Sequence, residues 1–112
     1  MPQSLIDRTI FNTLKESVGD DFIGELVQTF LEEAPLMLDD IQSAAAAKEV
    51  DNLRRATHSL KTNAATFGAI SLAELAKELE YMARENNLNI GNKLSVLRSS
   101  YEEAAEELKT LT

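Results

Sequence analysis

The sequence predicts an all-α protein, an antiparallel up-down four-helix bundle with a short extra helix at its N-terminal end. Two observations predict this fold. The chain of 112 residues contains four Gly and two Pro, whereas helix-forming residues are abundant. Its apolar residues also recur three and four positions apart in successive segments, which is the period of a helix with one buried face. The length fits a single domain covering residues 1–112, and no repeat or change of composition marks a second.

The short extra helix and the first long helix are separated by a single glycine. The pattern predicts the extra helix from about Asp7 to Ser17 and its end at Gly19. Asp20 or Asp21 is the expected cap of the next helix, since a carboxylate suits the positive end of the helix dipole. Pro35 lies inside this helix and is expected to kink it, because proline lacks a backbone N–H and crowds the preceding turn.

The remaining helices follow the same rules. Asp51 is the expected cap of a third helix that reaches Phe67 and stops at Gly68, a residue type that ends helices in a left-handed conformation. The spacing of Ser71–Glu74 is that of a capping box and predicts the start of the fourth helix, which ends near Asn86. The seam of the last helix consists of Leu94, Leu97, Tyr101, Ala104, Leu108 and Leu111. For Tyr101 the pattern indicates packing alone.

The composition excludes many kinds of functional site. The chain contains no Cys and one His, which rules out disulfides, thiol catalysis, Cys-ligated zinc and any site with several His ligands. A net charge of −8 disfavours nucleic acid and anionic membranes as partners. The sequence has no nucleotide-binding motif and no apolar run long enough to span a bilayer. We therefore expect no cofactor, no metal and a cytoplasmic chain.

The one histidine, His58, lies on the third predicted helix, opposite the apolar stripe of that helix. At about 100° per residue, Leu53, Ala56, Leu60 and Phe67 fall within about 40° of the pole opposite the imidazole. The stripe must face the core, so we expect the ring of His58 to point to water. The plainest interpretation of an exposed histidine is a solvated bystander.

The charge around His58 favours a functional interpretation. Residues 52–73 contain no Asp or Glu, although the chain as a whole is acidic. The alternatives are a chance gap and a basic surface that receives a phosphoryl group or an acidic partner. The small side chains of Thr62 and Ala65 would let a partner approach the ring. The cations of this segment are Arg54, Arg55 and Lys61.

Residues 56–69 read ATHSLKTNAATFGA. This segment resembles the signature of histidine-containing phosphotransfer (HPt) domains, His-x-x-Lys-Gly followed six residues after its Gly by Gly-Ala. The resemblance extends over most of the chain and implies a helical bundle in which His58 carries a phosphoryl group and Lys61 lies beside it, with Gly68 ending the helix. Thr62 stands where the family usually has Gly. Because helical side chains lean toward the N-terminus, Thr62 lies over the imidazole, which it would either crowd or orient through a hydrogen bond.

The resemblance implies a phosphorelay carrier without kinase activity of its own. His58 would exchange a phosphoryl group with the aspartate of a response-regulator receiver domain, which holds Mg²⁺, and a sensor histidine kinase would be a further partner. The docking face would be formed by Arg54, Arg55, Ala65 and Gly68, and a monomer would leave this face free. Two alternatives stay open: the phosphoryl-accepting module of a chemotaxis-type kinase, which resembles HPt bundles at the same motif, and an adaptor that docks a receiver without chemistry.

Overall fold

A computed structural model describes residues 6–112. These residues form α1 (Arg8–Val18), α2 (Asp20–Ala47), α3 (Val50–Thr66), α4 (Ile70–Arg84) and α5 (Lys93–Thr110). Helix α3 packs between α2 and α4, α5 packs against both α4 and α2, and α1 lies against α2 and α3. The predicted all-helical bundle with a short extra N-terminal helix is confirmed for this part of the chain. None of these helices combines the length and the apolar character that crossing a bilayer requires.

The core of the bundle lies where the apolar stripes meet. Three aromatic rings of the core pack together, with the ring of Phe30 5.0 Å from that of Phe67 and 6.0 Å from that of Tyr101. One position of the α3 stripe differs from the prediction, since Ala56 is half-buried and its neighbour Thr57 is buried instead. The Thr57 hydroxyl is satisfied inside its own helix, where it donates to the carbonyl of Leu53 at 2.8 Å.

Helix α2 continues through Pro35, and its missing hydrogen bond is replaced from another helix. Proline has no N–H, so the carbonyl of Leu31, four residues earlier, lacks its usual donor. The hydroxyl of Tyr101 on α5 donates to this carbonyl at 3.3 Å. Burial, together with the negative charge of Glu102, raises the pKa of Tyr101, so the hydroxyl keeps its proton at neutral pH. The prediction that Tyr101 serves packing alone is therefore wrong.

The ends of α1, α2 and α3 differ from the predicted ones by one or two residues. Asp7 caps α1 rather than beginning it, and its carboxylate accepts the backbone N–H of Thr9 at 3.0 Å. The residue before α2 is Gly19, so the predicted side-chain caps Asp20 and Asp21 lie in the first turn instead. Asp51 likewise lies in the first turn of α3. The carboxylates of Asp20, Asp21 and Asp51 still lie near the positive end of a helix dipole, but unlike Asp7 they do not bond the terminal N–H groups.

The predicted capping box at Ser71 is wrong, because α4 begins one residue earlier, at Ile70. The turn between α3 and α4 determines this start. Gly68 has φ 82°, and the following N–H, that of Ala69, donates to the carbonyl of Ala64 at 2.9 Å. The chain therefore turns directly into α4, which leaves no extended residue at position 71 whose side chain can cap a helix.

Candidate functional site: an exposed histidine over a buried carboxylate

His58 lies in the middle of α3 and its side chain is 58% exposed. The α3 residues that face the core, Leu53 and Leu60, are buried beneath it. The predicted exposure of the imidazole is confirmed. Because α3 is held between α2 and α4, the backbone that carries this exposed ring belongs to the rigid centre of the bundle.

The ring of His58 is held by a glutamate from the neighbouring helix. Its Nδ1 lies 2.9 Å from Oε2 of Glu80, on α4. The Glu80 side chain is 6% exposed, and its other oxygen, Oε1, accepts a hydrogen bond of 2.6 Å from Nζ of Lys61. A guanidinium nitrogen of Arg84 lies 3.3 Å from Oε2. The buried carboxylate of Glu80 is therefore shared by the histidine and two cations.

The ionisation of Glu80 determines which nitrogen of His58 carries hydrogen. Burial by itself raises the pKa of this carboxyl, but hydrogen bonds from Lys61 and His58 and the positive charge of Lys61 lower it, and the pKa lies below its ordinary value. Glu80 is therefore a carboxylate at neutral pH, which can only accept hydrogen bonds. For a neutral ring we assign the hydrogen to Nδ1, which leaves a lone pair on Nε2.

The two arginines predicted beside His58 lie next to it in space. A surface groove beside the ring is lined by both of them, and also by Glu80 and Arg84 of α4. Arg54 is half-buried and Arg55 is exposed. Neither forms a salt bridge with any other residue between positions 6 and 112. Their charges are thus available to an anion that approaches the ring.

Thr62 and Ala65 are both exposed on α3, one and two turns beyond His58. The prediction that the Thr62 hydroxyl orients the imidazole is not met in the described part of the chain, where the side chain that bonds the ring is Glu80. The backbone carbonyl of Thr62 accepts a hydrogen bond of 3.0 Å from the Thr66 hydroxyl. Crowding of the ring by Thr62 stays a prediction.

Gly68, which is predicted to belong to the docking face, packs against the residue that caps α1. It is buried, and its carbonyl accepts the N–H of Asp7 at 2.7 Å. A Cβ at this position would lie 2.7 Å from the carbonyl oxygen of Asp7, so no larger residue fits without displacing α1. Gly68 is thus packed against the start of α1, and its contact with a partner stays a prediction.

Metal ligands do not converge in the described part of the chain. Residues 6–112 contain no group of three or more His, Asp or Glu side chains that could hold a metal ion. The side chains around His58 instead have the chemistry of a nucleophile with cations beside it. An uncharged imidazole nitrogen can attack an electrophilic phosphorus, and the neighbouring cations suit the negative charge that arrives with it.

Glu80 is the functional residue that the sequence did not reveal. It lies next to Leu79 of the α4 apolar stripe and has the charge of a solvated surface residue, so its residue type alone does not distinguish it from Glu78 or Glu85. Its role depends on the packing of α4 against α3, which brings together residues separated by 22 positions. The available signal was its position at the border between the apolar and polar faces of its helix.

Comparison with known proteins identifies the family. The family described as "Hpt domain" matches residues 25–111. The phosphorelay protein LuxU of Vibrio vulnificus strain YJ016 is 30% identical over 83 residues, 74% of this chain and 72% of that protein. LuxU of Vibrio cholerae is 26% identical over 102 residues, 87% of this chain and 90% of that protein. The crystal structure of histidine-containing phosphotransfer protein B (HptB) from Pseudomonas aeruginosa PAO1 superposes with a TM-score of 0.91 and 25% identity, covering 97% of this chain and 95% of that one.

The fold and the exposed histidine thus define a class of protein, the helical-bundle carriers of phosphoryl groups. The chain belongs to the Hpt domain family. It is a histidine phosphotransfer carrier of two-component signalling, and its partners are of the kinds found in a phosphorelay, kinases and response regulators.

Proposed function

We propose that His58 is the residue that carries the phosphoryl group, which it exchanges with the phosphorylated aspartate of a response-regulator receiver domain. The observation that supports this most directly is the hydrogen bond of 2.9 Å between Nδ1 and the buried Glu80. It fixes the imidazole on a rigid helix and leaves Nε2 as the nitrogen with a lone pair. A bystander histidine would need no such support.

The transfer step follows from this arrangement. Nε2 of His58 attacks the phosphorus of the acyl phosphate, a nitrogen–phosphorus bond forms, and the bond between phosphorus and the aspartate oxygen breaks. The aspartate leaves as a carboxylate. The imidazole, which keeps its hydrogen on Nδ1, becomes positively charged and is stabilised by the carboxylate of Glu80. Reversal of the same step passes the phosphoryl group to the next receiver.

The cations near His58 stabilise the phosphoryl group in this proposal. Lys61 lies one turn from His58 and shares Glu80 with it. Its side chain is 29% exposed, so it is held in place and still reaches the surface where the phosphoryl group arrives. Arg54 and Arg55, which have no partner among the described side chains, add positive charge from the groove.

The rest of the machinery belongs to the partner. Phosphoryl transfer from an acyl phosphate uses a cation to neutralise the phosphoryl oxygens, and we assign that Mg²⁺ to the receiver domain. A sensor histidine kinase provides the phosphoryl group at the start of the relay, and the chain itself contributes no kinase activity. We further propose a cytoplasmic monomer, because the face around His58 must stay open to successive partners.

Transfer from a charged receiver domain to wild type and His58→Gln tests this proposal. The receiver is phosphorylated with a small phosphodonor and Mg²⁺, and label on this chain is then measured. Wild type should acquire a label that acid removes and alkali spares, as expected of a phosphoramidate, and His58→Gln should acquire none. Equal label in both would exclude His58. Receiver binding without label in either would support the non-catalytic adaptor instead.

The same assay measures the effect of Thr62. Thr62→Gly restores the family's usual residue and removes a branched side chain from the turn over the imidazole. If Thr62 crowds the ring, transfer to Thr62→Gly should be faster than to wild type. Thr66→Gly, one turn further along the same exposed face, is the matched control for the effect of glycine on the helix itself.

A further inference from the structure

Helix α4 presents two large exposed side chains on the face that points away from the core. Tyr81 is 61% exposed and Ile70 is 41% exposed, and Glu74 and Lys77 between them are exposed as well. At about 100° per residue these four positions fall within an arc of about 60°, opposite the buried Leu79. We call these four residues the α4 outer face. Two large side chains exposed on one face are typical of an interaction surface.

The α4 outer face carries two charges that are not neutralised by neighbouring residues. Neither Glu74 nor Lys77 forms a salt bridge within residues 6–112. The next carboxylate on this helix, Glu78, is paired with Lys93 of α5. The α4 outer face thus has one negative and one positive charge and is neutral, although the chain has a net charge of −8. A second copy of the chain is therefore not repelled from this face as it is from an acidic one.

The order of the four residues along α4 is self-complementary. When two identical helices pack antiparallel about a twofold axis, two residues face each other if they are equidistant from the axis in sequence. Ile70 and Tyr81 are equidistant from a point between positions 75 and 76, and so are Glu74 and Lys77. An axis at this point places Ile70 of each copy against Tyr81 of the other. It also places Glu74 of each copy against Lys77 of the other.

The exposed apolar side chains of α2 lack this complementarity. Phe22 and Leu36 are about as exposed as Ile70 and Tyr81, but α2 contains no Lys or Arg. Packing of α2 against the α2 of a second copy would place carboxylates next to carboxylates, which is unfavourable. The order of charges, rather than apolar exposure alone, therefore distinguishes the α4 outer face.

We propose that two copies of this chain associate through the α4 outer face, antiparallel and about a twofold axis. This inference goes beyond the proposed function. One face of a 15-residue helix makes a small interface, so we expect a dissociation constant on the order of 0.1 mM and the proposed monomer at lower concentrations. Glu80, which holds His58, lies about 90° around α4 from the centre of this face. The imidazoles of both copies therefore stay open to phosphorelay partners.

Two single charge reversals and their mixture test this arrangement. Small-angle X-ray scattering of the full chain up to about 1 mM measures the fraction of dimer. Lys77→Glu alone and Glu74→Lys alone should each raise the dissociation constant about tenfold or more, because a twofold axis opposes like charges twice. An equimolar mixture of the two variants should associate at least as tightly as wild type. In the mixed pair every carboxylate of one variant faces an ammonium group of the other.

A substitution on α2 is the matched control. Tyr81→Ser should weaken association about tenfold, whereas Leu36→Ser, which removes a side chain of about the same exposure, should leave it unchanged. A wild type that keeps the mass of a monomer at 1 mM would overturn the proposal, as would a mixture that associates no better than either charge variant alone. Circular dichroism checks that each variant is folded. Phosphoramidate labelling of His58 in the dilute chain tests the proposed function separately, and all four variants should label as wild type does.

Discussion

Two polar contacts between helices of this bundle arise from the same physical requirement and have different consequences. At one, the hydroxyl of Tyr101 satisfies the carbonyl of Leu31 that Pro35 leaves without a donor. At the other, the carboxylate of Glu80 is satisfied by His58, Lys61 and Arg84. A buried polar group without a partner is costly, so both contacts stabilise the fold. They differ in whether the side chains that satisfy the buried group also extend to solvent.

The Tyr101 contact is closed. Its donor belongs to a core residue that is 8% exposed and its acceptor is a backbone carbonyl, so no charged side chain extends from this contact to solvent. The Glu80 contact is open, because His58 and Arg84 extend from the buried carboxylate to solvent. A buried anion that is neutralised by surface side chains holds those side chains in place. The same physical requirement therefore stabilises the fold at one contact and orients a nucleophile at the other.

The largest expected effect comes from breaking the open contact. Glu80→Ala should slow phosphoryl transfer about tenfold or more, because Nδ1 loses the acceptor that fixes its hydrogen. Glu80→Gln keeps an acceptor but not the charge and should recover part of the rate. Single-turnover transfer from a charged receiver measures both. Glu78→Ala, exposed on the same helix, should behave as wild type, and an unchanged rate in Glu80→Ala would reduce Glu80 to a space-filling role.

Breaking the closed contact should change stability and leave transfer unchanged. Tyr101→Phe strands the Leu31 carbonyl and should lower the free energy of unfolding by about 1–2 kcal/mol. Tyr81→Phe, which alters an exposed tyrosine, should cost almost nothing. Denaturant unfolding monitored by circular dichroism measures both variants.

A second substitution sharpens this test. Pro35→Ala restores a backbone N–H four residues after Leu31, so in that background Tyr101→Phe should cost less. Equal costs in the two backgrounds would show that the hydroxyl does not replace the missing donor of Pro35.

The smallest expected effect is a dependence of stability on pH at the open contact. The folded-state pKa of Glu80 is below the ordinary value of 4.5. Its contribution to stability is therefore present above pH 4.5 and is lost as the pH falls through the folded-state pKa. The charged groups that face it are Lys61 and His58 of α3 and Arg84 of α4.

The measurement is the difference in unfolding free energy between wild type and Glu80→Gln, followed from pH 6 to acid. This difference should shrink as the pH falls below 4.5, since both proteins then carry a neutral group at position 80. A difference that stays constant over this range would show that the carboxyl of Glu80 does not have the lowered pKa.

The local features of this protein follow from its sequence. The spacing of apolar residues predicts the helices, because a helix buries one face at a fixed period. The same period predicts that His58 points to water, which the structure confirms. The helix ends are predicted less well. Residues Ser71–Glu74 have the residue types of a capping box, yet the turn at Gly68 makes α4 begin at Ile70, one residue before Ser71.

The contacts between helices are decided by tertiary structure alone. Glu80 reads as one more solvated glutamate, and Tyr101 reads as one more core aromatic. Their partners lie 22 and 70 positions away. Periodicity determines which side of a helix is buried, but not which residue of a neighbouring helix lies opposite, since that depends on how all the side chains pack together. The sequence by itself thus determined the helices and the exposed histidine, and the packing of α4 on α3 decided which carboxylate holds it.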